Sequence, residues 1–285
     1  MTKTNNDNFE KAKNAKKDKF CCRIFWVGVI VASTFIFAGY LKSNNEDNNS
    51  VVVCADNQSF NFTTQKKEKV LELKPDGYYD AVEAAQGFFF EIVVNSRYRL
   101  SEDFVPENLV EYKNTTHLMN VEMAENLAKM LDDMKERGLT VWVSSAYRTY
   151  ERQKYLYGNK VSRLKKQYGS KKTQEEIEAQ AATVVAIPGT SEHQLGLSVD
   201  LTKDGTLTEK FGVSAEGKWI AENCHNYGFV VRYNKGKEHL TGIIYEPWHL
   251  RYVGIDLAKA ILESDKCLEE YFSAIIPPKD LDKIP

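Results

Sequence analysis

The sequence has few cysteines, and beyond its first residues it has no concentrated positive charge. Five cysteines in 285 residues are too few for a disulfide scaffold, and no two of them form a CxxC pair. Cys224 and Cys267 are isolated, so we expect unpaired thiols; nothing in the sequence supports a disulfide between them. No basic stretch in the main body resembles a nucleic-acid footprint, so we expect no nucleic-acid partner.

The longest apolar run lies near the N-terminus. Residues 20–41 are apolar apart from Arg23 and two hydroxyl residues, and about 20 residues suffice for a helix to cross a bilayer. Lysines crowd residues 1–19, whereas Lys42 alone follows the run before an Asn-rich stretch. By the positive-inside rule, the tail 1–19 is cytoplasmic, 20–41 is a transmembrane anchor, and the rest is exported. We therefore predict a single-pass protein of the cell membrane, which its N-terminal helix anchors in the cytoplasmic membrane.

A cleaved signal peptide is the alternative to this anchor. Ala38 could precede a cleavage site, but Ile36 stands where a small side chain is wanted. We therefore expect the segment to stay uncleaved. The Asn-rich residues that follow, and a later group of lysines, cannot build a core, which predicts an extracytoplasmic linker over 42–84.

Helical and strand patterns are interspersed over residues 85–273 without a regular βαβ rhythm. Helical spacing begins after Asn120 and ends at Gly138, with the apolar positions Val121, Ala124, Leu127, Ala128, Leu131 and Met134. Further helices are predicted over 152–164, 174–185, 219–227 and 256–262, and strands over 87–94, 139–145, 197–201 and 229–233. We predict an α+β fold: one compact domain with a small antiparallel sheet flanked by helices, followed by a tail over 274–285.

Two short clusters contain most of the side chains that could bind a metal. The first ends in a strand where Leu197, Val199 and Leu201 share one face, which leaves Asp200 on the other. Gly196 permits a bend before that strand, so His193 can fold back towards Asp200.

The second cluster covers residues 246–252. Pro247 interrupts regular strand pairing, which can aim Glu246 and His249 at one point. Two histidines and an aspartate would suit a catalytic zinc, which takes three such ligands and leaves one position for water. On spacing alone, each histidine could equally be a core or surface residue, and the aspartate a turn cap.

The order of the motifs adds a second signal. The run 145–149 (Ser-Ala-Tyr-Arg-Thr), then 188–200 with Ser191, His193, Gly196 and Asp200, then 246–254 with Glu246 and His249, resembles the VanY-type D-alanyl-D-alanine carboxypeptidases. The family pattern is SxHxxGxxxD followed by ExxH, and the likeness extends over about residues 89–273. Two departures are visible: Ala146 replaces the usual glycine and Ser198 the usual alanine. Neither substitution removes a functional group that the chemistry would need.

The resemblance implies a zinc-peptidase domain and a role for each matching residue. Zn²⁺ would be held by His193, Asp200 and His249. Glu246 would accept and return a proton, and Arg148 would polarise the scissile carbonyl or stabilise its oxyanion. The candidates for substrate binding are Ser191, Gln153 and Tyr147. For Trp248 we expect packing beneath the metal, and for His117, His225 and His239 no catalytic role.

The implied substrates are peptidoglycan stem peptides that end in a D-amino acid. The first expectation is a D,D-carboxypeptidase that removes a terminal D-alanine. L,D-cleavage of tetrapeptide stems stays open, since related domains do both. An endopeptidase acting on crosslinks is disfavoured by the anchor and by the lack of a wall-binding repeat. A non-catalytic wall sensor would have lost a ligand or the base, and this sequence retains all four residues.

Overall fold

The computed structural model describes residues 51–55, 58–62, 71–85 and 87–272. The predicted cytoplasmic tail, transmembrane helix and C-terminal tail lie outside these residues. None of the helices within them is both long and apolar enough to cross a bilayer. The chain divides into two compact units, Met1–Glu68 and Lys69–Pro285.

The stretch predicted as a linker, 42–84, contains regular structure. Strands β1 (Val51–Ala55) and β2 (Gln58–Phe62) form an antiparallel hairpin in the first unit. The second unit begins at Lys69, earlier than the predicted start at residue 85. Within the second unit, Ala81 is fully buried in the core.

The second unit is an α+β domain, which confirms the predicted fold class. Its strands are β3 (Tyr79–Asp80), β4 (Tyr98–Arg99), β5 (Leu109–Glu111), β6 (Leu118–Asn120), β7 (Trp142–Ser145), β8 (Ser198–Thr202), β9 (Phe229–Tyr233) and β10 (Glu246–Tyr252). Its helices are α1 (Ala81–Ala84), α2 (Val121–Glu136), α3 (Tyr150–Tyr168), α4 (Gln174–Ala182), α5 (Ala215–Asn223), α6 (Glu238–Thr241), α7 (Ile255–Ser264) and α8 (Leu268–Tyr271). The central sheet is antiparallel, in the order β7-β8-β10-β9.

One face of the central sheet is apolar. Val199 and Leu201 of β8 and Leu250 of β10 are fully buried in the same hydrophobic cluster as Met123 and Leu127 of α2. Each buried side chain of this size contributes about 1.5–3 kcal/mol. Because side chains alternate along a strand, the residues between them must project to the opposite face.

Helix α2 forms where its periodicity predicts. The Asn120 side chain caps it by accepting from the backbone N–H groups of Glu122 and Met123, and Gly138, at φ 74°, follows its end. The buried face is rotated from the predicted one, since Met123 is fully buried whereas Val121 is 40% exposed.

The predicted strand over 87–94 is wrong. Phe89–Glu91 forms a 3₁₀ turn, and only the end of the run, from Ile92, is buried. The carbonyl oxygens of Phe90 and Ile92 accept hydrogen bonds from Arg251 Nη2 at 3.1 and 2.8 Å. A buried guanidinium thus satisfies carbonyl groups that would otherwise need a neighbouring strand.

The thiols of Cys224 and Cys267 are free and buried. Burial raises the pKa of Cys224 to about 12 and that of Cys267 to about 11. Both groups are therefore protonated at neutral pH and poorly reactive.

Candidate active site

The second face of the sheet brings an aspartate and a histidine together. In the antiparallel pair of β8 and β10, His249 lies directly opposite Asp200. Side chains of opposite residues project to the same face, and His249 Nδ1 is 2.9 Å from Asp200 Oδ1. Arg251 and Ser198, the next pair on this face, are also buried.

His193 reaches the same carboxylate from a 3₁₀ turn, Glu192–Leu195. The turn ends at Gly196, whose φ of 69° favours glycine; a Cβ there would also lie 2.7 Å from Leu109 Cδ2 and would displace that side chain. His193 Nε2 lies 3.2 Å from Asp200 Oδ2, as the predicted bend requires.

The hydrogen bonding of His193 defines which ring nitrogen is available. His193 Nδ1 is 2.7 Å from the carbonyl oxygen of Ala146, which can only accept a hydrogen bond. Nδ1 therefore carries the proton, and Nε2 presents its lone pair towards Asp200. Nε2 is buried and makes no hydrogen bond to the described residues.

The three residues fit a zinc ion. One ligand atom from each of His193, Asp200 and His249 lies within 4.8 Å of the others, and all three residues are buried. In the described part of the chain this is the one such cluster, so His117, His225 and His239 do not belong to a metal site there. Two imidazole nitrogens and a carboxylate leave a fourth position open, as a catalytic zinc requires.

The protonation states suit metal binding. Burial, followed by the positive charge of Arg148, lowers the pKa of His193 to about 4 despite the opposing charge of Asp200. Burial opposes ionisation of Asp200, but its contacts with His193 and His249 outweigh burial and lower its pKa. A neutral His193 and an ionised Asp200 are the forms that bind zinc.

Glu246 lies beside the metal residues because β10 is irregular. Glu246 pairs with Tyr233, and Leu250 pairs with Val231. An advance of four residues along β10 therefore corresponds to an advance of only two residues along β9. This bulge, at the imino residue Pro247, turns Glu246 towards the face of His249, with Oε2 4.0 Å from Nδ1. Burial raises the pKa of Glu246 well above its ordinary value, and the charge of Asp200 raises it further.

A cleft of about 450 Å³ contains the metal residues together with Glu246 and Arg148. Arg148 follows β7, and its backbone N–H donates to the His193 carbonyl at 3.2 Å. Its Nε is buried without a hydrogen-bond partner among the described residues. Burial lowers the pKa of Arg148, while the charges of Asp200 and Glu246 act in the opposite direction. The guanidinium is therefore available to a substrate.

Two of the three predicted substrate-binding residues line this cleft. The lining includes Ser191 and Gln153 but not Tyr147. Gln153 Nε2 donates to the Ala186 carbonyl at 2.5 Å, and its buried Oε1 has no described partner. Trp248 is buried in the core, as predicted, and also borders the cleft.

A group of buried charges behind the site was not predicted. Glu192, Arg232, Arg251 and Glu269 are each at most 1% exposed. The available signal was an arginine inside the otherwise apolar strand 229–233, since such a residue must find a buried partner.

Comparisons with known proteins agree with this geometry. A sequence profile described as "VanY: D-alanyl-D-alanine carboxypeptidase" matches residues 116–255. The protein named "Putative carboxypeptidase YodJ" of Bacillus subtilis (strain 168) is 41% identical over 194 residues, which cover 64% of this chain and 67% of that protein.

Two solved structures share the fold. The LdcB LD-carboxypeptidase is 36% identical with a TM-score of 0.59, and the match covers 72% of this chain and 95% of LdcB. A mutant of the vancomycin resistance D,D-pentapeptidase VanY, from a VanB-type cassette and in complex with Zn(II), is 35% identical with a TM-score of 0.56. That match covers 64% of this chain and 98% of the other. The chain belongs to the VanY family of D-alanyl-D-alanine carboxypeptidases.

Proposed function

We propose that the protein is a membrane-anchored zinc D,D-carboxypeptidase that removes the terminal D-alanine from peptidoglycan stem peptides. One observation carries the proposal: His193, Asp200 and His249 share a single cleft with Glu246 and Arg148. This arrangement combines a metal site, a proton acceptor and a positive charge, the three groups expected in metal-assisted hydrolysis of a peptide bond.

The residues of the cleft divide the reaction among them. Bound zinc lowers the pKa of a water from about 15.7 towards about 7. Glu246 would accept the proton from the attacking water and return it to the departing amine. Arg148 offers N–H donors to the scissile carbonyl oxygen, where negative charge develops.

Ser191 and Gln153 are placed to hold the end of the substrate. The Ser191 hydroxyl can donate to the terminal carboxylate. Gln153 Nε2 donates a hydrogen bond to the Ala186 carbonyl. Gln153 Oε1 has no partner among the described residues, so it can accept a hydrogen bond from an N–H of the peptide. Holding the N–H and the carboxylate of the terminal residue would align the scissile carbonyl, which belongs to the residue before it, with Arg148.

L,D-cleavage of tetrapeptide stems is the second candidate, because the LdcB LD-carboxypeptidase matches this chain over 72% of its length. A panel of tripeptide, tetrapeptide and pentapeptide stems separates the two. D,D-activity releases D-alanine from the pentapeptide and leaves the tetrapeptide intact, whereas L,D-activity shortens the tetrapeptide. Cleavage of neither stem by the zinc-loaded protein would refute the proposed function.

Zinc removal should abolish activity. We expect about one zinc per purified chain, because the described residues contain one cluster of suitable ligands. A chelator should remove activity and also lower the thermal unfolding midpoint, because a ligand that binds only the folded state stabilises it. Adding zinc back should restore both. A metal-free preparation with full activity would contradict the assignment.

We also propose that the catalytic domain faces the outside of the cytoplasmic membrane. Support comes from the sequence, where the lysine-rich segment precedes the apolar run 20–41. Protease added to intact cells stripped of their wall should digest the domain. Digestion only after lysis would show the opposite topology, and a cytoplasmic reporter protein would control for leakage.

A further inference from the structure

Behind the metal site, four charged side chains form a buried network on the polar face of the sheet. Arg232 Nε donates to Glu192 Oε1 at 2.7 Å, and its two terminal nitrogens donate to both carboxylate oxygens of Glu269 at 2.8 and 2.6 Å. Arg251 Nη1 lies 3.0 Å from Glu192 Oε1, an ion-pair contact without hydrogen-bond alignment. Two arginines thus oppose two glutamates.

The network joins distant parts of the chain. Glu192 precedes His193, Arg232 and Arg251 stand on β9 and β10, and Glu269 belongs to helix α8. Helix α8 lies beyond residue 255, where the family match ends. Asn95 Nδ2 also donates to Glu269 Oε1 at 3.3 Å. Burying four charges away from water is costly unless each is paired, so this arrangement holds every member in one place.

One atom of the network faces the metal site. Glu192 Oε2 is 4.0 Å from His249 Nε2. Both atoms are buried, and neither has a hydrogen-bond partner among the described residues. The other nitrogen of this ring, Nδ1, faces Asp200 at 2.9 Å. An imidazole that binds a metal through Nδ1 carries its proton on Nε2, where it needs an acceptor.

We propose that Glu192 is a positioning residue for His249: its Oε2, 4.0 Å from Nε2 in this structure, accepts the Nε2 proton once the metal is bound, and Arg232, Arg251 and Glu269 fix that carboxylate. Helix α8 is therefore part of the support of the metal site. The inference rests on the zinc site of the proposed function. It concerns how His249 is oriented and not which substrate is cleaved.

The direct test is the Nε2 proton of His249 in the zinc-loaded full chain. Selective ¹⁵N-histidine labelling leaves five residues to resolve, and His249→Gln assigns the signal by its loss. We expect a downfield Nε2–H resonance that exchanges slowly with water, because a carboxylate accepts it. The exposed His239 provides the internal comparison. A His249 proton that exchanges as fast as that of His239 would overturn the proposal without any further variant.

Variants of the network test the support. Glu192→Gln should weaken zinc affinity, measured by chelator competition, by about 10–100-fold and shift the Nε2–H resonance. Glu269→Gln should act in the same direction with a smaller change. The matched control is Glu270→Gln on the same helix, where the carboxylate pairs with Lys237 at 2.8 Å outside the network. Its zinc affinity should equal that of the wild type.

A folded Glu192→Gln protein with wild-type zinc affinity and an unmoved resonance would refute the inference. If Glu192→Gln does not fold, the wild-type exchange rate and Glu269→Gln decide the outcome. None of these measurements uses a substrate. A chain that passes them but cleaves no stem would refute the proposed function and leave the positioning role intact.

Discussion

Glu246→Gln should abolish most turnover while leaving zinc content near that of the wild type. The substitution keeps the shape of the side chain but removes its ability to accept a proton. Glu246 Oε2 is 4.0 Å from His249 Nδ1, and the metal cluster consists of three other residues. General acid–base groups typically contribute about 10²–10⁴ in rate, so kcat should fall at least about 100-fold. Stem hydrolysis and metal analysis on the same preparation measure both quantities.

His249→Ala is the matched comparison, because it deletes a ligand on the same strand. Zinc occupancy should fall together with activity, and added zinc should restore activity only in part. The contrast between the variants is the informative result. Loss of zinc from Glu246→Gln with retention by His249→Ala would reverse the two roles. Full activity of zinc-loaded Glu246→Gln would refute the proposed role of Glu246 as the proton acceptor. The family assignment would still hold.

Strand geometry indicates that the residues of the metal cluster can meet, but the ligand set itself came from the family resemblance. Alternation along β8 separates Val199 and Leu201 from Asp200, and the glycine at 196 signals the bend that returns His193. The position of Glu246 depends on a bulge whose size no local pattern reveals. The proline at 247 indicates an interruption but does not specify how many residues the bulge adds.

The run 87–94 shows why local patterns mislead at one edge of the domain. Its apolar residues predict a strand, yet two of its carbonyl groups, those of Phe90 and Ile92, are satisfied by Arg251, more than 150 residues away in sequence. The same arginine contacts Glu192, and Glu192 in turn contacts Arg232. Such long-range polar contacts carry no periodicity, so the sequence indicates that Arg232 needs a buried partner but not which residues supply it.

Tyr147 illustrates a second limit. Its position in the Ser145–Thr149 motif suggested substrate contact, but adjacent residues after a strand point in different directions. Its backbone N–H donates to Leu118, while the neighbouring Arg148 side chain enters the cleft. The motif thus places a residue near the site without defining which side chain faces it.

Arg148→Gln should reduce kcat by about 10²–10³, the range measured when one oxyanion donor is removed. Arg148 borders the same cleft as the metal residues, and its Nε lacks a described partner, so its hydrogen-bonding capacity is available for the reaction. No described ion pair depends on it, and burial lowers its pKa. We therefore expect the thermal unfolding midpoint and zinc content to stay near wild type.

The division of the effect between kcat and KM identifies what Arg148 contacts. A donor to the developing oxyanion acts only in the transition state, so kcat and kcat/KM should fall together. A donor to the terminal carboxylate would instead raise KM and leave kcat largely unchanged. Arg148→Lys keeps the charge without the planar fork and should recover part of the rate.

The control is Arg152→Gln, four residues later. This exposed arginine stacks on Tyr155 at 5.2 Å and does not line the cleft, so its loss should leave both constants unchanged. Wild-type kcat and KM in Arg148→Gln would exclude Arg148 from the chemistry.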